Sequence, residues 1–184
     1  TGASDKQDLG AFLTFVKSIL PHVKTIGLLY FTSANNDITL VNMMKESASL
    51  VGMSVLAIPV EQLRDIPVRM QEFKGKVDFV YVGASSLQAT LPVIANEALK
   101  LNIPVFNMEE QAVKDGLVLA SFGVNYEAVG RNAGKLIVKL LKGADIKMLT
   151  PSYPSIRDHK CFINKKQAKK YGIVNIPKNA TIAE

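Results

Sequence analysis

The sequence has few of the residues that build covalent or metal-based sites. Its 184 residues include one cysteine, Cys161, and two histidines, His22 and His159. A lone cysteine excludes an internal disulfide and a cysteine metal site, and its place in the apolar run KCFIN predicts a buried structural thiol. The histidines are far apart in the sequence and belong to no pattern of ligand residues. We therefore predict no metal site.

Long apolar runs and low-complexity tracts are also lacking. No apolar stretch approaches the roughly 18 to 20 residues that a membrane-spanning helix needs. The composition, 48% hydrophobic and 21% charged, is that of an ordinary globular chain with length for one domain or slightly more. The N-terminal segment TGASDKQDLG is polar and small, which is atypical of a signal peptide and indicates an internal start.

Arginines and aromatic residues are lacking where the positive charge is concentrated. The net charge is +6, and the lysines cluster in the late segment INKKQAKKYG. Nucleic-acid-binding segments usually carry arginines and stacking aromatics among their lysines. No such residues separate the lysines here, so we predict the solvated face of a short helix and no nucleic-acid partner.

Motifs for catalysis and for cofactors are lacking as well. No Gly-x-Gly-x-x-Gly fingerprint follows the first predicted strand, and there is no Walker loop. The segment VGASSL lacks the second glycine of a nucleophile elbow. Glu109 and Glu110 are adjacent, so they point to different sides of a helix start and not at one bond. We predict no enzyme, no catalytic residue and no cofactor, and we keep a flavodoxin-like enzyme as an alternative.

The sequence does contain a regular alternation of apolar strands and amphipathic helices. Pro92 fits such a helix only near its first turn. The predicted strands are 25–31, 53–60, 77–83, 103–107, 117–123 and a segment around Cys161. The predicted helices are 9–20, 84–101, 109–116, 126–142 and 165–171. Two more helices are predicted: one begins at SANND, carries Ile38 inward and ends at Gly52, and a short one is capped by Asp65. This order predicts an α/β fold, with a parallel sheet flanked by helices on both faces.

Short polar side chains follow several of the predicted strands. In open α/β sheets, ligands bind outside the carboxyl ends of the strands, where helix N-termini offer free N–H groups to a carboxylate or polar ligand. For each loop alone, helix capping remains an alternative to ligand binding. The candidate ligand-binding residues in these loops are Phe31, Asn35, Asn36, Ser85, Ser86, Asn107, Glu109, Asn125 and Tyr126.

The predicted helix 126–142 carries two glycines, Gly130 and Gly134. A glycine inside a helix costs roughly 1 kcal/mol relative to alanine, so a gain elsewhere should offset it. The apolar stripe of this helix consists of Val129, Ala133, Ile137 and Leu140.

Several stretches together carry a family resemblance. They are TGASD, VKTIGLLYFTSANND, VDFVYVG, ANEALKLNIPVF and GVNYEAVGRNAGKLIVKLLKGA. The chain resembles the substrate-binding proteins of ABC importers, in particular the branch that includes binders of tryptophan and other aromatic amino acids. The resemblance implies the type I periplasmic-binding fold, in which two α/β lobes close on a ligand. It also implies delivery to a membrane permease, and a periplasmic or extracellular location in which the protein is free or lipid-anchored.

The resemblance also implies a division of the chain. Residues 1–121 would be the second ligand-binding lobe, 122–150 a crossover that packs on a first lobe absent here, and 151–184 a return to the second lobe. Gly130 and Gly134 would then permit close approach to that first lobe; close packing within one lobe is the alternative. We expect the stripe of helix 126–142 to be covered by a second chain or by a rearranged packing of this one.

The nature of the ligand depends on the charged groups of the site. The opening motif adds Ser4 and Asp5 to the candidate ligand-binding residues. Relatives often carry an acid or amide after the third strand, where this chain has Ala84, Ser85 and Ser86. An ammonium group favours a carboxylate, which Asp5, Asp37 or Glu109 could supply here. Phe31 and Tyr126 could stack on an aromatic ligand or be walls of the core. As an alternative to the function of a transport protein, the chain could be the effector-sensing core of a transcription regulator.

Overall fold

The computed structural model describes residues 1–83 and 85–184; Ala84, which begins the predicted helix 84–101, lies outside the described residues. The helices are α1 Leu9–Ile19, α2 Asn35–Leu50, α3 Ile66–Gln71, α4 Leu91–Lys100, α5 Glu110–Lys114, α6 Tyr126–Leu141 and α7 Lys165–Lys170. The strands are β1 Thr25–Phe31, β2 Ser54–Val60, β3 Phe79–Val82, β4 Val105–Asn107, β5 Ala120–Val124, β6 His159–Asn164 and β7 Ala180–Ala183. Among the described residues, no helix combines the length and apolarity needed to cross a membrane.

The strands form one sheet in the order β2-β1-β3-β4-β5-β6-β7. Neighbouring strands are parallel except β5 and β6, which are antiparallel. The predicted α/β fold is confirmed, and this one pair differs from the prediction. After α6 the chain returns to the edge at which β5 ends, where the Asn125 N–H donates to the Asp158 carbonyl at 2.7 Å. Because β6 begins at that edge, it must run back along β5.

Helices cover both faces of the sheet, as predicted. One core lies under α1, α2 and α7, and the other under α3, α4 and α5. Phe12 of α1 lies at the centre of the first core, where its ring centroid is 4.5 Å from that of Tyr81 and 6.1 Å from that of Phe106. Burying each such side chain is worth about 1.5–3 kcal/mol. Cys161 is also buried in this core, which confirms the predicted structural thiol.

Several local predictions are corrected. α2 begins at Asn35 without a side-chain cap, and Ile38 is 37% exposed whereas Asp37 is buried. Asp65 precedes α3 but makes no capping hydrogen bond. α4 begins at Leu91 and not at residue 84, because a short 3₁₀ turn precedes it; Pro92 therefore falls in its first turn, as expected. The half-exposed edge strand β7 was missed.

α6 has little packing within the described chain. Its buried residues are Ala128 and Leu136, whereas Ile137 is 55% and Leu141 82% exposed. Within residues 1–83 and 85–184, no atom beyond the chain neighbours and helix backbone comes within 4 Å of a Cβ built on Gly130 or Gly134. Close packing of these glycines within the lobe is therefore excluded. Of the predicted stripe, Ile137 is exposed and Val129, Ala133 and Leu140 are partly exposed, so the described chain covers the stripe only in part.

The lysine-rich segment forms α7, as predicted. Lys165, Lys166, Lys169 and Lys170 are exposed, and Ala168 faces the core. The lysines therefore form a solvated helix face.

Candidate functional site

The loops that follow β1, β3, β4 and β5, which carry most of the predicted site residues, lie at one edge of the sheet. β1, β3, β4 and β5 are parallel, so their carboxyl ends share that edge, which we call the rim. Met108 follows β4 and lines two cavities that open on the rim. The first, which we call the β5 pocket, has a volume of about 200 Å³; the second, the α2 pocket, has a volume of about 250 Å³.

The α2 pocket brings together two of the predicted site residues. Asp5 from the N-terminal segment and Asn36 from the first turn of α2 line it. Its remaining wall is largely apolar, and its apolar side chains are Leu9, Leu40, Met43 and Met108. A polar ligand group could therefore bind at Asp5 and Asn36 while an apolar part packs against α2.

The β5 pocket is built on the surface of β5 and β6. Ser121 is paired with Phe162 and Gly123 with Lys160, so all four side-chain positions lie on one face of the sheet. A Cβ added to Gly123 would lie 1.9 Å from the Met108 carbonyl oxygen. Glycine is thus required for the turn after β4 to pass over β5. The pocket is lined by Met108, Glu109, Glu110, Ser121, Gly123, Val124, Asn125, Tyr126, Glu127, Lys160 and Phe162.

Carboxylates surround the mouth of the β5 pocket. Glu110 pairs with Lys114 at 2.8 Å, and Glu127 pairs with Arg131 at 2.5 Å. Glu109 has no ion-pair partner within 4.0 Å among residues 1–83 and 85–184. The pKa of Tyr126 is raised, first by partial burial and then by the Glu109 and Asp5 carboxylates. Glu109 and Asp5 therefore both lie near the Tyr126 hydroxyl and supply negative charge to this part of the rim, where Lys160 and Lys6 also line the two pockets.

Asp37 has a role that the sequence did not reveal. It is 1% exposed, and its carboxylate accepts hydrogen bonds from the Phe31 N–H at 2.9 Å and the Ser86 N–H at 2.8 Å. It therefore ties the loop after β1 to the loop after β3. Both carboxylate oxygens are engaged, so Asp37 is not a free partner for a ligand ammonium group. The only sequence signal was an acid in the first turn of a helix that follows a strand.

Asn107 is also structural. It is fully buried, and its amide group donates to the Val82 carbonyl at 2.6 Å and to Gln88 Oε1 at 3.0 Å. Its Oδ1 accepts from the Glu109 N–H at 2.7 Å. Since the whole amide is enclosed and bonded, Asn107 positions the turn that carries Glu109, and direct contact with a ligand is disfavoured.

The remaining candidates lie along the rim with mixed roles. Ser85 Oγ accepts from the Leu87 N–H at 3.1 Å and stabilises its own turn. Phe31 is partly buried against the core under α3 and α4, which favours its role as a core wall. Asn35 is the first residue of α2, and Ser4 donates through its N–H to the Ser152 carbonyl at 2.8 Å. Asn125 caps α6, because its side chain accepts from the Glu127 N–H at 3.2 Å.

Three chain segments meet beside the rim. The Gln7 side chain accepts from the Tyr81 hydroxyl and donates to the Phe122 carbonyl. His159 Nε2 accepts from the Asp8 N–H at 3.2 Å, so Nδ1 carries the proton that it donates to the Ser155 carbonyl at 2.9 Å. The imidazole also stacks on the Phe122 ring at 4.9 Å. Segments 4–8, 122–125 and 155–159 are therefore joined at one place.

Comparison with known proteins identifies the family to which this chain is similar. A family model described as ABC transporter substrate binding protein matches residues 1–181. A tyrosine-binding protein of Clostridioides difficile strain R20291 is 29% identical over 147 residues, which are 79% of this chain and 42% of that protein.

Two solved structures share the fold over the whole chain. A ligand-free, open substrate-binding protein with adhesive properties from Clostridium difficile has a TM-score of 0.83 and 27% identity, with 100% of this chain and 62% of that one covered. An ABC domain from Streptococcus pneumonia, solved in complex with L-Trp, has a TM-score of 0.79 and 29% identity, with 100% and 64% covered. This chain thus spans less than two thirds of each of these relatives.

Proposed function

The chain belongs to the family of ABC transporter substrate-binding proteins, and on this premise we propose that its rim is one face of a ligand cleft. The protein would be the solute-binding component of an importer, which captures a small molecule between two lobes and delivers it to a membrane permease. The observation that carries the proposal is the geometry of the rim in a chain that matches this family over residues 1–181. Glu109 and Tyr126 line the β5 pocket, Asp5 lines the α2 pocket, and Met108 lines both.

The ligand class that fits this rim is an aromatic amino acid. Glu109 has no ion-pair partner in the described chain, and with Asp5 it would hold the ligand ammonium group. Tyr126 and Phe162 offer aromatic surfaces beside it. A tyrosine-binding relative and a relative in complex with L-Trp agree with this class. Asn36 would add a contact from the α2 pocket, and the residues at the rim of the cleft would be Ser4, Asn35, Ser85, Ser86 and Asn125.

Closure of the cleft requires a second lobe, and the exposed face of α6 supports one. In the proposed arrangement residues 1–121 belong to this lobe, 122–150 cross to a further lobe, and 151–184 return. The exposed glycines and apolar side chains of α6 would pack on that further lobe. Segments 4–8, 122–125 and 155–159 would then be the hinge about which the two lobes close.

The place of action follows from the family. Substrate-binding proteins of this family work outside the cytoplasmic membrane, so we place this protein in the periplasm or the extracellular space. Attachment through a lipid anchor near the permease is part of the proposal.

Calorimetric titration of the full-length gene product with a panel of amino acids tests the function. We expect aromatic amino acids to bind most tightly. Glu109→Gln should weaken that binding by about 10- to 100-fold, because a charge-assisted hydrogen bond is worth about 1.5–3 kcal/mol. Glu72→Gln is the control, since Glu72 follows α3 on the way to the start of β3, pairs with Arg69 and lines neither pocket of the rim. Absence of binding to every amino acid in the panel would contradict the proposal.

A further inference from the structure

Ser121 has a buried hydroxyl group that the fold does not use. The residue is 1% exposed, and its Oγ has no hydrogen-bond partner among residues 1–83 and 85–184. Buried side-chain hydroxyls are nearly always paired, because an unpaired one loses its bonds to water without replacement. Such a group reduces stability, and its presence in the wall of a cavity calls for a partner that is not part of this chain.

The residues around Ser121 indicate the chemical nature of that partner. Ser121 lies opposite Phe162 in the β5–β6 ladder, and Phe162 and Tyr126 give the β5 pocket aromatic walls. One side of the Phe162 ring is occupied by Lys114, whose Nζ lies 5.4 Å from the ring centroid. The part of the pocket at Ser121 and Phe162 therefore suits a flat, apolar group that carries one polar atom toward the sheet. The rest of the lining carries the charged side chains of Lys160, Glu109, Glu110 and Glu127.

The mouth of the β5 pocket connects this cavity with the proposed ammonium site. Glu109 and Tyr126 line the same pocket as Ser121. Gly123, which shares a face of β5 with Ser121, allows the Met108 carbonyl to lie directly on the strand, and Gly123 and Met108 both line this pocket. An amino acid held at Glu109 by its ammonium group could thus extend its side chain toward Ser121.

We propose that the β5 pocket receives the far end of an aromatic side chain that carries an O–H or N–H group, and that Ser121 Oγ accepts the hydrogen bond from it. The inference rests on the proposed function and deepens it. A change between staggered rotamers lets the Ser121 hydroxyl meet a group that enters the pocket. Tyrosine and tryptophan have such a donor, whereas phenylalanine lacks it. Phenylalanine would leave Ser121 unpaired, and sites built around a polar contact reject ligands that lack it.

Titration of the full-length gene product with tyrosine, tryptophan and phenylalanine tests the inference. The wild type should bind tyrosine or tryptophan at least 10-fold more tightly than phenylalanine. The comparison of tyrosine with tryptophan shows whether an O–H or an N–H donor is preferred. Ser121→Ala should reduce the preference over phenylalanine by about 10-fold and leave the affinity for phenylalanine almost unchanged. Ser49→Ala, at an exposed position of α2, is the control and should change neither.

Thermal unfolding of the ligand-free variants gives an independent measurement. Ser121→Ala should be at least as stable as the wild type, because it removes an unpaired buried hydroxyl. An unchanged preference in Ser121→Ala, or a marked loss of its stability, would overturn the inference and leave the proposed function intact. Failure of the wild type to bind any aromatic amino acid would instead overturn the proposed function and this inference with it.

Discussion

Asp37 shows at the residue scale how one buried acid can hold a binding edge together. Its carboxylate joins the loops after β1 and β3 through the Phe31 and Ser86 N–H groups. Asp37→Asn has nearly the same shape but turns an NH₂ group toward one of these donors. We expect a loss of about 1–3 kcal/mol in the free energy of unfolding, measured by urea denaturation. Asp65→Asn, at a position without a capping bond, should have little effect.

Gly123 is required by its contact with Met108. The added Cβ of Gly123→Ala would lie 1.9 Å from the Met108 carbonyl oxygen, so the turn that carries Glu109 must move. We expect a loss of about 1–3 kcal/mol in the free energy of unfolding together with weaker ligand binding. Both are measurable on the same purified variant. Full stability and full affinity in Gly123→Ala would show that the turn is not held against β5.

Cys161 should be chemically inert in the native protein. Burial raises the pKa of its thiol to about 11, so the thiolate, which is the reactive form, is scarce at pH 8. We expect slow reaction with a thiol-specific reagent at pH 8 in the native state and one rapidly reacting thiol in denaturant. Rapid native-state reaction would indicate that β6 opens locally.

At the scale of single elements, α6 contains two glycines that lower the stability of the helix, and no contact within the described chain offsets that loss. Because the space beside Gly130 and Gly134 is open, alanine at either position should stabilise this chain by about 0.5–1 kcal/mol. In the full-length gene product we expect the opposite sign, since the glycines would face the other lobe. Comparison of urea denaturation midpoints for both forms checks this. Stabilisation in both forms would argue against close packing of α6 on a second lobe.

β6 and its neighbours show how an element can be fixed by contacts from several segments. His159 at its start contacts Asp8, Ser155 and Phe122, and Asp158 just before it accepts from the Asn125 N–H. In the proposed arrangement, these bonds would hold segments 4–8, 122–125 and 155–159 together while the two lobes close.

At the scale of the whole molecule, the exposed face of α6 leaves this chain with apolar surface to cover. Ile137, Val138 and Leu141 are each at least half exposed on one helix, and such surface favours association. We expect residues 1–184 expressed alone to self-associate in sedimentation experiments at increasing concentration. Ile137→Lys combined with Leu141→Lys should shift the chain toward the monomer.

Leu50→Lys is the control for this experiment. Leu50 is 86% exposed at the end of α2 and is not part of the α6 face, so its replacement should not change the association. A wild-type chain that stays monomeric at all concentrations would contradict the prediction.

The sequence by itself determined the fold class, the edge of the sheet at which the polar loops lie and the solvated face of the lysine-rich helix. These depend on local patterns: buried strands have continuous apolar runs, helices have apolar stripes, and parallel strands place their carboxyl ends together. The prediction that Pro92 lies in a first turn has the same local origin, because proline lacks the N–H that later turns require.

Only the tertiary structure decided the direction of β6, the burial of Asp37 and Asn107, and the unpaired state of Ser121. Each depends on segments that are far apart in the sequence and meet in space. Asp37 bonds Ser86 across 49 residues, and Ser121 lies against Phe162 of the returning strand. Residue type sets which bonds a side chain can make, but the groups that surround it decide which of them it makes.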